Sequence, residues 1–289
     1  MSSHHAASLL LKSRLNRLPT LVMPDAFDAF SAILIEQAGF EAVQCSGKSM
    51  AAAAGYADEN CLSYSENLEV TRKIVNAVSV PVMADGEDGF GNASKLTQTI
   101  REFIRIGVAG MNLEDGVLSS WDVSLSVIPM ERMSEKIRFV RKAAIATGNP
   151  DFVINARTDA LSSAIDKVYG LSEAVKRSNC ALESGADLAF VTGVTSLDQA
   201  RELRERINGP ISIAAGLAYN SQAFSVADLV NLGVARVSLP LLVILGATQG
   251  MKTVLNAAMQ NKDFVEMQSA GMMASNADFV YALHGAGGH

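Results

Sequence analysis

The sequence predicts a single (β/α)8 barrel with extra C-terminal helices. Three observations carry that fold class: eight short β-branched runs recur along 289 residues, amphipathic helical stretches separate them, and a helix–glycine–strand phrase repeats between them. Strands that alternate with helices in this way form βαβ units around a parallel sheet, and the length suits one closed α/β barrel. The composition agrees, with 49% hydrophobic, 6% aromatic and 19% charged residues, rich in the aliphatic types that doubly covered parallel strands require.

In chain order, the opening MSSHHAASLLLKSRLN has one short apolar patch and no cleavage site after a long apolar run, so no secretory signal is expected. His4 and His5 are expected in a mobile terminus, and neither they nor His284 and His289 near the other end are catalytic candidates. The strands are expected at 20–23, 42–45, 80–84, 110–113, 152–155, 188–191, 211–214 and 236–239. Between them, 29–38, 65–77, 93–106, 133–146, 171–184 and 196–207 carry apolar residues at helical spacing. Gly39, Gly107, Gly185 and Gly233 each follow a helix and precede a strand, where glycine takes a left-handed cap. Residues 240–289 exceed one barrel helix and contain Met251, Met259, Met267, Met272 and Met273, gap-filling residues expected to pack against a neighbouring subunit. No linker divides the chain, so 1–289 reads as one barrel domain, with 240–289 as a helical segment engaged in oligomerisation.

A net charge of -6 and a pI near 5.3 disfavour nucleic acid, whose phosphates require a basic surface. The most apolar late stretch, 237–246, is shorter than the roughly 18–20 residues that span a bilayer, so no membrane partner is expected. Cys45, Cys61 and Cys180 are odd in number and lack CxxC spacing, which signals neither disulfides nor zinc and suits reduced thiols in the cytoplasm. A small solute is the expected ligand.

In a barrel, chemistry gathers at the C-terminal strand ends. The third strand runs into Asp85-Gly86-Glu87-Asp88-Gly89-Phe90-Gly91 and the fourth into Glu114-Asp115. Carboxylates crowded at adjacent strand ends repel unless a cation or protons neutralise them, and hard oxygen donors suit Mg²⁺ or Mn²⁺; helix caps and solvated turns use the same residues. The second strand ends in Cys45-Ser46-Gly47-Lys48, where a hydroxyl and backbone N–H groups can hold an anion. Arg157 ends the fifth and offers a bidentate carboxylate contact or, alternatively, a structural ion pair to Asp159 or Glu183. Lys48 reads as an extra cation for a substrate acid group or as a solvated lysine, and Cys45 as a buried small residue. Trp121 reads as a cover over the site or as packing against a neighbouring loop.

These phrases together resemble the isocitrate lyase/phosphoenolpyruvate mutase superfamily. Pro24-Asp25-Ala26-Phe27-Asp28-Ala29 is similar to its P-G-x-Y-D-A opening, and Gly39-Phe40-Glu41-Ala42-Val43 leads to its Ser46-Gly47. Ala84 to Gly91 resembles its D-x-D-x-G-Y-G loop, and Asn112-Leu113-Glu114-Asp115 and Asn155-Ala156-Arg157-Thr158-Asp159 complete the order. The resemblance implies a barrel with C-terminal helices swapped in dimers or tetramers, and a Mg²⁺ site (Mn²⁺ as the variant) for 2-oxo or enol carboxylates. It implies metal contacts from Asp85, Glu87 and Glu114, substrate contacts from Ser46, Gly47 and Arg157, and a reacting-group role for Asp58. Two departures concern the substrate: 116–126 contains neither the K-K/R-C-G-H loop of isocitrate-type lyases nor the Lys and Asn of the mutases. The expected activity is a Mg²⁺-dependent lyase cleaving a C–C bond next to a 2-oxo or 2-hydroxy carboxylate. C–P bond chemistry and a non-catalytic dicarboxylate-binding barrel are the alternatives.

Overall fold

The structure, a computed structural model, describes residues 3–91, 93–118, 125–260 and 263–284. Its strands are β1 (Leu21–Ala26), β2 (Val43–Cys45), β3 (Val82–Asp85), β4 (Gly110–Glu114), β5 (Gly116–Leu118), β6 (Leu125–Val127), β7 (Val153–Thr158), β8 (Leu188–Val191), β9 (Ile211–Ala214) and β10 (Arg236–Leu239). Eight of them close a barrel in the order β1-β10-β9-β8-β7-β4-β3-β2, and β5 with β6 forms a separate two-stranded hairpin. Every barrel pairing is parallel, and the register Leu21↔Arg236 to Pro24↔Leu239 joins the first strand to the last. All eight expected barrel strands are present. The hairpin was not expected, because its three-residue strands are too short to show a period.

The helices are α1 (Ser3–Leu15), α2 (Ala29–Gln37), α3 (Gly47–Ala53), α4 (Tyr64–Ala77), α5 (Ala93–Arg105), α6 (Met130–Ala146), α7 (Ala160–Ser163), α8 (Lys167–Glu183), α9 (Leu197–Arg206), α10 (Val226–Leu232), α11 (Leu242–Met259), α12 (Phe264–Ser269) and α13 (Asn276–His284). Caps fix several starts: Asp28, Ser63 and Ser225 each form a reciprocal capping box, which satisfies N–H groups that would otherwise have no partner. Gly39, Gly107, Gly185 and Gly233 have φ of 90°, 95°, 106° and 73°, the positive values the sequence pattern required.

Apolar stripes of the outer helices dock on the sheet in three sectors. One joins β1 and β2 to α2, α3 and α4, one joins β4 and β7 to α5 and α6, and one joins β8, β9 and β10 to α8, α9 and α10. Ile100 and Phe103 of α5 and Leu203 of α9 are fully buried, each such side chain contributing roughly 1.5–3 kcal/mol. From His5 onward the opening helix is not a mobile terminus. Leu11 and Leu15 of α1 sit among Leu21, Met23, Met83, Ala109, Val153 and Leu188, close to the starts of the strands, and so close the lower end of the barrel. His5 bonds Asp151 at 2.9 Å, and Asn149 donates to Ser8 at 2.9 Å. The apolar face of α1 needs this cover, which makes the segment structural.

The tail forms α11, α12 and α13. α13 rests on α2 of its own chain through Phe30 and Phe279, with ring centroids 5.7 Å apart, and Gln37 donates to the Ala282 carbonyl at 3.0 Å. Leu255, Met259, Phe264, Val265 and Tyr281 remain exposed, whereas Met267 is buried.

A close backbone approach lies at the start of β4. A Cβ on Gly110 would meet the Val153 Cβ at 2.6 Å and the Val153 carbonyl oxygen at 2.7 Å. Backbone on the facing strand cannot retreat without opening the β4–β7 ladder. Gly110→Ala is expected to cost about 1–3 kcal/mol, seen as a lower midpoint in denaturant unfolding; an unchanged midpoint would refute this account of the β4–β7 spacing.

Candidate active site

β3 delivers Asp85 to the mouth of the barrel, and a tight loop then turns Glu87 back over it. Glu87 and Phe90 adopt φ of 46° and 58°, the left-handed region that non-glycine residues rarely enter. The surrounding backbone enforces this: Gly86 donates to the Asn112 carbonyl at 3.1 Å, Gly89 to the Gly86 carbonyl at 2.8 Å, and Glu114 to the Glu87 carbonyl at 2.9 Å. Strain of this kind is held only where neighbours over-determine it, most often at functional sites.

On the adjacent strand, Ser46 caps α3 by accepting from the Ser49 N–H at 3.2 Å, and the Gly47 N–H donates to Asp85 Oδ2 at 2.9 Å. A Cβ on Gly47 would lie 2.2 Å from Glu87 Oε1 and 3.3 Å from Asp85 Oδ2, so glycine is what lets the two carboxylates approach this backbone. Asp85 Oδ1 is buried and has no hydrogen-bond partner among the described residues. Burial raises the Asp85 carboxyl above its ordinary range, opposed by the Gly47 N–H and by Arg157.

Arg157, from β7, sits between the acids. It contacts Glu114 Oε2 at 2.6 Å through Nη1 and Asp159 Oδ1 at 3.1 Å through Nη2. Glu183 is not its partner; the Asp159 pairing is the structural alternative that the sequence allowed, realised together with Glu114. Burial works to lower the Arg157 pKa, but the charges of Glu114, Asp159, Asp85 and Glu87 override it and hold the guanidinium above its usual range. Asp159 Oδ2, like Asp85 Oδ1, is buried without a hydrogen bond among the described residues. Four carboxylates around one guanidinium leave a negative surplus, which favours a bound cation or protons.

These residues line a cavity of about 290 Å³ whose opposite wall holds Phe190, Leu217 and Tyr219. Ser46, Lys48, Asp85, Glu87 and Arg157 line it together, whereas Glu114 lines a second cavity that shares Glu87, Arg157 and Asp159 with the first. Lys48 is exposed at the cavity and has no hydrogen bond or ion pair with a described residue. Asp58 is placed elsewhere. Its Oδ1 accepts from the N–H and the side-chain amide of Asn60 at 2.9 and 2.8 Å, capping a short turn, and it lines neither cavity. Cys45 is fully buried, and burial pushes its thiol up, which suits the small-core-residue reading. Trp121 lies outside the described residues.

Sequence reasoning gave no role to three contributors. Asp25 lies one residue before the end of β1 inside the cavity, Tyr219 follows β9 on the far wall, and Asp115 anchors the hairpin. Asp25 was visible by the same strand-end rule that found Asp85; Tyr219 sits in a loop with no motif. Asp115 accepts from Thr158 Oγ1 at 2.8 Å, the Asp159 N–H at 2.9 Å and Arg177 Nη1 at 3.0 Å. Arg177 also donates to the Ile128 carbonyl at 2.8 Å, while the Ile128 N–H reaches the Asp115 carbonyl at 2.9 Å. This clamp ties the return of the 116–128 loop to the barrel. Among the described residues no three His, Cys, Asp or Glu side chains form a ready ion cage, since Arg157 stands between Glu114 and Asp159.

The family model described as phosphoenolpyruvate phosphomutase matches residues 11–259. A 2-methylisocitrate lyase of Shewanella oneidensis is 31% identical over 261 residues, covering 89% of this chain and 86% of that protein. A 2,3-dimethylmalate lyase of Eubacterium barkeri is 35% identical over 204 residues, covering 69% and 68%. The crystal structure of a phosphonopyruvate hydrolase complex with oxalate and Mg²⁺ superposes with a TM-score of 0.84 at 26% identity, over 96% of this chain and 94% of that one.

Leaving a buried donor without its acceptor costs about 1–3 kcal/mol. Asp115→Ala, which removes the acceptor of Thr158 Oγ1 and the Asp159 N–H and leaves Arg177 with Glu173 and the Ile128 carbonyl, is therefore expected to destabilise the fold by at least that order, whereas Glu69→Ala, at an exposed helix pair with Arg72, is expected to cost under about 1 kcal/mol. Chemical denaturation of both variants compares the two, and equal midpoints would remove the clamp from the account.

Proposed function

The chain belongs to the isocitrate lyase/phosphoenolpyruvate mutase superfamily, and from that premise we propose that it is a Mg²⁺-dependent lyase cleaving a C–C bond next to a 2-oxo or 2-hydroxy carboxylate. The observation that carries this reading is the negative surplus at the strand ends, with the buried, unpartnered Asp85 Oδ1 among it. Asp85, Glu87 and Glu114 would hold the ion, an all-oxygen set that suits Mg²⁺ and also Mn²⁺. When bound, the ion supplies Lewis-acid stabilisation of the enolate formed as the neighbouring bond breaks.

The remaining roles fall to side chains around the cavity. The Ser46 oxygen is engaged at the α3 cap, yet its own proton is available to a substrate carboxylate. Arg157 presents a guanidinium to the same anion and neutralises it. Gly47 acts by its missing side chain, because its N–H is already committed to Asp85. Lys48 adds a cation for a second acid group of the substrate.

Lys48 also favours a second reading, C–P bond cleavage, since a phosphonate needs cationic contacts. The loop residues Gly116–Leu118 and Leu125–Val127 contribute none, which ranks it below the first. Pyruvate release from 2-oxo or 2-hydroxy diacids supports the first reading, and phosphate release from phosphonopyruvate supports the second. Oxalate binding with neither product supports a non-catalytic barrel. The exposed apolar residues of α11, α12 and α13 support a homo-oligomer, a dimer or tetramer, in which another copy covers them.

Isothermal titration of oxalate is expected to show binding with Mg²⁺ that EDTA abolishes, and Asp85→Ala and Glu114→Ala are each expected to remove it. Intact binding in both variants would sink the metal assignment. Light scattering at micromolar concentration is expected to give at least twice the monomer mass; a monomer would leave the tail without the proposed partner.

A further inference from the structure

The 116–126 stretch carries no Cys, His, Lys or Arg to protonate a carbanion, whereas the cavity itself is lined by a buried carboxyl. That carboxyl is Asp25, near the end of β1, between Gln44 of β2 and Ser238 of β10. Its side chain is buried, and the one side-chain hydrogen bond it makes among the described residues is a long one, from Ser238 Oγ to Oδ1 at 3.4 Å. Burial pushes the carboxyl up to about 8, raised further by Asp85 and held down by Arg236 and Ser238. Near neutral pH such a group can both give and accept a proton, as an acid–base catalyst must.

Arg236 beneath it is fully buried on neutral partners: Gln44 Oε1 at 2.9 Å, Ser212 Oγ at 3.1 Å, Ser238 Oγ at 3.3 Å and Met23 Sδ at 3.2 Å. Its charge therefore acts through space on Asp25 and Asp85 and favours the ionised form of Asp25 that burial opposes. The groups that face Asp25 are thus Arg236 and Ser238 from β10 and Asp85 from β3.

Resting on the lyase reading above, we propose that Asp25 exchanges a proton with the carbon next to the 2-oxo group of the retained fragment. Asp25 lines the same cavity as Ser46 and Arg157, which would hold the carboxylate of the retained fragment, so a carbanion formed on that fragment lies in the cavity that Asp25 lines. The matching substrates are 2-oxo acids with a departing carboxylate on C3, in preference to 2-hydroxy acids split by retro-aldol cleavage. As the C3–C4 bond breaks, its electron pair becomes the C2–C3 double bond of an enolate and CO2 leaves. The enolate then takes the Asp25 proton, forming a C–H bond at C3, and the Asp25 carboxylate regains a proton from water.

Pyruvate in D2O is the probe. The wild-type protein with Mg²⁺ is expected to replace the pyruvate methyl protons with deuterium, followed as loss of the proton NMR signal. Asp25→Asn is expected to slow this by about 100-fold or more while oxalate affinity stays within about 3-fold, and Asp25→Glu is expected to restore part of the rate. If the Asn variant fails to bind oxalate, Asp25→Ser takes its place in the comparison. Undiminished exchange in the variant, or oxalate binding without any exchange in the wild type, overturns the role of Asp25 and leaves the lyase reading standing. Absence of Mg²⁺-dependent oxalate binding overturns both.

Discussion

The repulsion among Asp85, Glu87, Glu114 and Asp159 is the constraint on which the site depends. Three barrel strands carry these acids to one place, where Arg157 pairs with Glu114 and Asp159 and the charge of Arg236 reaches Asp85. Like charges at this spacing in a dry environment cost several kcal/mol unless neutralised. The chain does not relieve the conflict by moving the acids apart. It fixes them, through a left-handed Glu87, a glycine at 47 and a loop bonded to the end of β4. A site held in unfavourable charge without its ligand binds a cation more strongly, because the ion ends the repulsion at no cost in rearrangement.

The barrel was legible because its signals repeat. The βα units share the sequence of β-branched run and amphipathic stretch, and four of them add a glycine stop, so an error in one unit is corrected by the others. Features that occur once were harder to see. The α3 helix starts at Gly47 and spans seven residues, too few for a helical period, and glycine is a poor helix former. The α1 helix looked mobile because its apolar face is short, and only the open lower end of the barrel explains its order.

The candidate site was legible to the depth of strand ends. Ser46, Asp85, Glu87 and Arg157 were found by position, and the structure gathers them around one cavity. Asp58 was assigned by motif alone; its carboxylate is taken by the local turn at Asn60, a choice that backbone geometry makes and residue type does not reveal. Arg236 was hidden for the opposite reason. A strand residue that points inward is assumed apolar, and only the ring of Gln44, Ser212 and Ser238 around it shows how the barrel tolerates a cation.

The pairing of β1 with β10 also orders events in the life of the chain. Leu21 bonds across to a strand that ends at Leu239, so the first barrel strand to leave the ribosome has an open edge until residues 236–239 have been made. The α1 helix waits as well, since its seat includes Val153 and Leu188. Long-range closure of this kind is slow and leaves unpaired edges exposed in the interim. During synthesis the β1 edge and the apolar face of α1 therefore stay uncovered until their distant partners have emerged, and barrel closure is the last step rather than the first.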